Sequence, residues 1–89
     1  MAKKRRKLNK DFEKKIYSSK KNVELILAKI YDIDDEDIQK EYISAFNSVV
    51  HLYDELNEDY EQKGFNDDSE EFLKNYKNAF NLFESEFEI

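Results

Sequence analysis

Eighty-nine residues with 21 acidic side chains, 15 basic ones and no cysteine make one small acidic domain of formal net charge −6. The missing cysteines exclude disulfides, thiolate-bearing zinc sites and a thiol nucleophile. No apolar run approaches the roughly 18 residues that a membrane span needs, and no apolar stretch follows the basic N-terminus as in a secretory signal, so a soluble cytoplasmic protein is expected.

Seven Phe and six Tyr, no Pro and one Gly turn this highly charged composition towards long, uninterrupted helices rather than disorder. Lys far outnumbers Arg, and Asn, Ile, Tyr and Phe are abundant. That usage suggests an AT-rich source, such as a low-GC bacterium, its plasmid or its phage.

The chain opens MAKKRRKLNK. Residues 1–8 are read as a basic arm, and residues 9–89 as the folded domain. Charge is split along the chain. Residues 1–22 hold ten Lys/Arg against two Asp/Glu, whereas residues 23–89 hold five against nineteen.

A first helix is predicted from about Asn9 to Tyr31. Phe12, Ile16, Ser19, Val23, Ile26 and Ile30 repeat at alternating four- and three-residue steps, which keeps them on one face, and Leu27, Tyr17 and Tyr31 are expected to widen it. Asn9 suits an N-cap, because its side-chain oxygen can accept from a free amide of the first turn. In YDIDDED, Asp34 as N-cap would set Ile33 against Ile38 as a hydrophobic staple. Asp35, Glu36 and Asp37 would then occupy the first turn, where the helix dipole favours anions.

The second helix is predicted from about Asp35 to Lys63. Ile38, Tyr42, Ala45, Val49, Leu52 and Leu56 form one stripe. Ile43, Phe46, Val50 and Tyr53 form another beside it, an arc wide enough for two neighbours. Gly64 fits the C′ position of a Schellman cap, with Phe65 returning onto Tyr60. The third helix is predicted to start near NDDSEE, through an Asp67/Glu70 or Asp68/Glu71 capping box, and to run to about Phe87. Leu73, Tyr76, Phe80, Phe83 and Phe87, with Phe72 and Ala79, make its buried face. Short connections between three such helices predict an all-α antiparallel three-helix bundle.

A tight turn near residue 33 would set Lys10, Lys14 and Lys15 beside Leu56, Leu52 and His51. The basic start of one helix would thereby face Asp54, Glu55, Glu58, Asp59 and Glu61, with Asp67, Asp68, Glu70 and Glu71 at the same end. Much of the positive charge is expected to be complemented inside the molecule.

Chemistry-bearing motifs are scarce. Asp32 to Asp37 resembles an EF-hand opening, but Asp37 stands where that loop needs Gly, and Ile43 where it needs Glu. His51 is the lone histidine and brings no second ligand set. Ser18, Ser19, Ser44, Ser48 and Ser69 lack a nucleophile-elbow setting, and one Gly cannot build a phosphate loop. No catalysis, cofactor or metal is expected.

Three binding readings follow. Leu25 falls about 140° from the centre of its helix stripe. Leu82 and Ile89 also lie off the main face, and with Phe87 they offer an apolar contact for a protein partner or a second copy in a homodimer. This leads to a small protein-binding module: a regulator, inhibitor or assembly factor. The alternative is a nucleic-acid-associated protein gripping phosphates through Lys3, Lys4, Arg5, Arg6 and Lys7. The third reading is an acidic mimic of nucleic acid that occupies a basic groove on another protein.

Overall fold

The computed structural model describes residues 7–88. Of the residues singled out above, Lys3, Lys4, Arg5, Arg6 and Ile89 lie outside that range. The described chain is an all-α three-helix bundle: α1 Lys10–Tyr31, α2 Glu36–Lys63 and α3 Ser69–Phe87. Each helix packs on both others, and α2 shares its largest contact with α3. Tyr42, Phe46 and Tyr53 of α2 meet Phe87, Phe83 and Tyr76 of α3 in that reversed order, so the pair is antiparallel.

The six residues of the main α1 stripe are the six that are buried; of those expected to widen it, Leu27 is half-buried, and Tyr17 and Tyr31 are exposed. Side chains such as Ile26 and Ile30, with no exposed surface, contribute about 1.5–3 kcal/mol each through removal from water. On α2 the expected stripe is displaced. Ile38 and Ala45 are exposed and Tyr42 and Leu52 half-buried, whereas Phe46, Val49, Leu56 and Tyr60 are buried. Contact with two neighbours pulls the burial line of α2 between its two apolar stripes. On α3, Leu73, Tyr76 and Phe80 are buried, and Phe83 and Phe87 are half-buried.

Helix ends show how local sequence is used. The Asn9 side chain accepts from the Phe12 amide at 3.0 Å, the expected cap. Asp35, not Asp34, caps α2, accepting from Asp37 and Ile38 amides at 2.9 and 3.2 Å. This moves Ile38 into the first turn, so the Ile33–Ile38 staple geometry is lost. The turn is held instead by the Gln39 amide, which reaches the carbonyls of Ile30, Tyr31 and Ile33 at 3.3, 3.0 and 3.4 Å. The Ile30 and Tyr31 carbonyls lie in the last turn of α1, the former also accepting from the Ile33 amide at 3.1 Å, so a side chain of α2 helps to close α1.

Gly64 does end α2, and its amide closes on the Tyr60 carbonyl at 2.8 Å. Its backbone, φ 74° and ψ −165°, belongs to a region open essentially to Gly alone. That ψ turns the chain away from a Schellman closure. The Phe65 amide donates to the Lys7 carbonyl at 2.6 Å, in a parallel bridge of Lys7 with Gly64. The glycine therefore joins the end of α2 to the segment preceding α1.

The capping box predicted for α3 does not form, since Asp68 makes no side-chain cap bond. Asn66 and Ser69 replace it. The Asn66 side-chain Oδ1 accepts from the Asp68 backbone amide at 2.8 Å, and the Ser69 hydroxyl accepts from the Asn66 backbone amide at 2.9 Å.

Candidate functional site

The bundle has two unlike ends. At one, α1 begins, α2 finishes and α3 begins. Tyr60 organises it: the Asn9 amide donates to its hydroxyl at 3.0 Å, and the hydroxyl donates to the Glu13 carboxylate at 2.7 Å. Phe12 stands between the rings of Tyr60 and Phe65, with centroids 5.6 and 5.1 Å away. The Asn66 amide donates at 3.0 Å to both Asp59 and the Gly64 carbonyl.

The lysine-rich start of α1 thus runs beside the acidic finish of α2, about one helical turn further along than Leu56 and Leu52. The shift follows from the connection, which sets Gln39 opposite Ile30 and Tyr60 opposite Asn9. Among the described residues the two ion pairs, His51–Glu55 at 3.4 Å and Lys63–Asp59 at 3.5 Å, both lie within α2. Among the described residues, then, no ion pair joins the α1 lysines to α2, and the expected complementation does not take the form of paired contacts.

Between α1 and α3 lies a groove of about 560 Å³, lined by Lys14, Lys15, Ser18 and Asn22 on one side and Lys77, Asn78, Asn81 and Glu84 on the other. Its depth has a local cause. Ser19 is buried in α1 and its hydroxyl donates back to the Lys15 carbonyl at 2.8 Å. This small residue lets the Tyr76 hydroxyl reach the Ser19 carbonyl at 3.2 Å. The two backbones are thus joined through a ring, and the rims above it stay open. Burial pushes the Tyr76 phenol up to about 12, so it remains a neutral donor there.

Tyr17 adjoins this groove. Its ring, 60% exposed, shares a shallow depression with Lys10, Glu13, Lys14 and Ser18, and the Lys21 ammonium lies 5.4 Å from its centroid. The sequence pattern assigned this ring to the edge of the α1 apolar stripe, not to a cationic face. The available signal was the helical spacing Lys10, Lys14, Tyr17, Lys21, which puts all four on one outer face.

At the opposite end α1 finishes, α2 begins and α3 finishes. Here Tyr42 packs edge-on against Phe87 at 5.3 Å, and Phe46 against Phe83 at 4.8 Å. The Tyr42 hydroxyl donates to the Glu86 carboxylate, which holds the phenol above its usual range. Leu82 is 74% exposed and Leu25 45%, so both predicted contact residues face solvent. Phe87 is half-buried and partly used in the Tyr42 contact. Two further exposed apolar residues, Tyr31 and Ile38, stand at this end, although the sequence pattern assigned both to packed helix stripes.

Lys7 is exposed, with its backbone held by Phe65. Among the described residues, no group of three His, Cys, Asp or Glu side chains is placed to hold a metal ion. Among them, too, no helix is long and apolar enough to cross a membrane. No family model, curated protein or solved structure matches the chain.

Proposed function

We propose that the protein is a non-catalytic protein-binding module, a regulator, inhibitor or assembly factor, that docks through the apolar end of its bundle. One observation carries this reading. Of the six exposed large apolar side chains among the described residues, Leu25, Tyr31, Ile38 and Leu82 lie where α1 finishes, α2 begins and α3 finishes. Apolar side chains left in water towards one end of the bundle are what a partner's surface would cover. The half-buried Tyr42 and Phe87 supply aromatic area between them, the residue class that dominates interface energetics. The acidic surface supports steering, since complementary charge accelerates encounter more than it tightens the final complex.

The test is site-specific photo-crosslinking of the full chain in cells that produce it natively. A crosslinker at position 38 is expected to give adducts that Leu82→Asp with Leu25→Asp removes. A homodimer would appear as adducts of twice the chain mass, with the same loss. Adducts confined to positions 48 or 58, on the outer face of α2, would overturn the reading.

A further inference from the structure

The geometry points to the groove between α1 and α3 as a binding site for a single nucleic-acid strand, its phosphates held by Lys14, Lys15 and Lys77 and a base laid against Tyr17. This goes beyond the proposed docking end, which shares none of these residues.

Charge selects the class of occupant. Three lysines rim the groove, and Glu84 is the single acid among its lining residues. An adjoining depression shares Lys15, Lys77 and Asn78 and adds Lys74. The carboxylates of Asp67, Glu70 and Glu71 line that depression too. The strand's path therefore lies from Lys15 towards Asn81, away from those acids. The remaining rim groups, Asn22 and Asn81 among them, are amides that both donate and accept. A groove of lysines and amides is a poor fit for an apolar ligand and a good one for phosphates with polar base edges.

Shape selects among nucleic acids. Packed helices lie about 8–10 Å apart, so the concavity between α1 and α3 admits one backbone. A duplex would instead have to receive α1 in its major groove, about 12 Å wide. That would carry Glu24, exposed on the flank of α1, towards the duplex phosphates, whereas a single strand need meet only Glu13 beside Tyr17. Tyr17 adds the second element of single-strand recognition, because an exposed ring beside a cationic track offers a stacking platform to any unpaired base. An acidic peptide has no comparable use for that ring. The acidic outer face of α2, with Asp54, Glu55 and Glu58 exposed, lies away from the groove and disfavours approach by any other route.

Fluorescence anisotropy of the full chain with a labelled single strand about twelve nucleotides long tests this. Binding is expected at about 50 mM salt, falling with a log–log slope of about −2 for three phosphate contacts at roughly −0.7 each. K14Q/K15Q/K77Q should abolish it. Tyr17→Ala should weaken it about tenfold and Tyr17→Phe should not, as base stacking requires only the ring. Lys40→Gln, on α2, should leave it unchanged. Four outcomes would each overturn the proposal: no binding at low salt, insensitivity to the triple lysine variant, equal binding of a duplex, or equal competition by polyglutamate. So would complete loss of binding on K3Q/K4Q/R5Q/R6Q while the groove variant still binds, which would give the site to the arm.

Discussion

The two ends of the bundle are held by different forces. Where α1 begins and α2 finishes, the contacts are directional: Asn9 and Glu13 with Tyr60, Lys7 with Phe65, and Asn66 with Asp59, Gly64 and Ser69. Where α1 finishes and α3 ends, aromatic rings meet edge to face, and four large apolar side chains stay in water. Hydrogen bonds demand geometry and so fix one register. Apolar packing is non-directional, and an incompletely covered apolar end can still accept another surface. The difference teaches that directional bonds fix the register at both ends, Gln39 on Ile30 at the turn and Tyr60 on Asn9 opposite, while exposed apolar side chains are left towards one of them.

The largest effect is expected where both ends depend on one residue. Phe46 is fully buried, touches Phe80 and Phe83, and anchors the pairing of α2 with α3. Phe46→Ala should cost about 3–5 kcal/mol. Much of the total stability of so small a domain would go with it, and urea unfolding followed by circular dichroism should show a transition moved to far lower denaturant.

The comparison is sharpened by Gly64→Ala. A Cβ at φ 74° and ψ −165° should cost about 1–3 kcal/mol. The loss should be focused on the polar end, because the same residue bridges to Lys7. Hydrogen exchange should show the Phe65 and Phe12 amides losing protection well before that of Phe83. Equal loss at both ends would mean that the polar end is not held by its own directional bonds.

How much of this was legible in the sequence depended on how many neighbours a helix has to satisfy. The main buried stripe of α1 was readable residue by residue, because its apolar side chains lie along one narrow line. That of α2 was not, since its two adjacent stripes compete and only the positions of α1 and α3 decide that Phe46, rather than Ala45, goes inside. Capping was legible where the partner is local, as at Asn9. It failed where the partner is remote: nothing near Gly64 announces Lys7, and nothing near Ile30 announces Gln39. At the α3 start, Asp68 and Glu71 satisfy the pattern, yet Asn66 and Ser69 do the work through an alternative box of similar span. Exposure of Leu25 and Leu82 followed from helix phase alone. The groove did not, because it exists only where Ser19 and Tyr76 hold α1 and α3 together and leave the space above them open.

Alkali should act on the middle of the bundle. The Tyr76 phenol is raised to about 12, and Tyr53, beside it, is raised from its usual 10.0, in both cases mainly by burial. A phenol whose folded pKa exceeds its unfolded one adds stability that is intact below about pH 10 and lost as pH climbs towards 12. Between those values the unfolded chain releases a proton that the folded one retains. Circular dichroism against pH should therefore show unfolding set in above pH 10. Tyr76→Phe should shift that onset upward while costing about 1 kcal/mol at neutral pH, through loss of the bond to Ser19.

The smallest effect on stability is expected at Leu82, and that smallness makes it informative. Leu82 is 74% exposed and makes none of the aromatic contacts by which α3 is held. Substitutions at such positions usually stay within about 0.5 kcal/mol, so the urea midpoint of Leu82→Asp should match that of the parent chain. Phe87→Asp would be a poorer probe, because it also removes the ring packed against Tyr42 and so confuses docking with folding. If Leu82→Asp instead destabilises the isolated chain at low concentration, where copies do not associate, then Leu82 serves the fold. The end that looks uncovered would then be part of the bundle's own packing, and the distinction between its two ends would fail on the side of the docking surface.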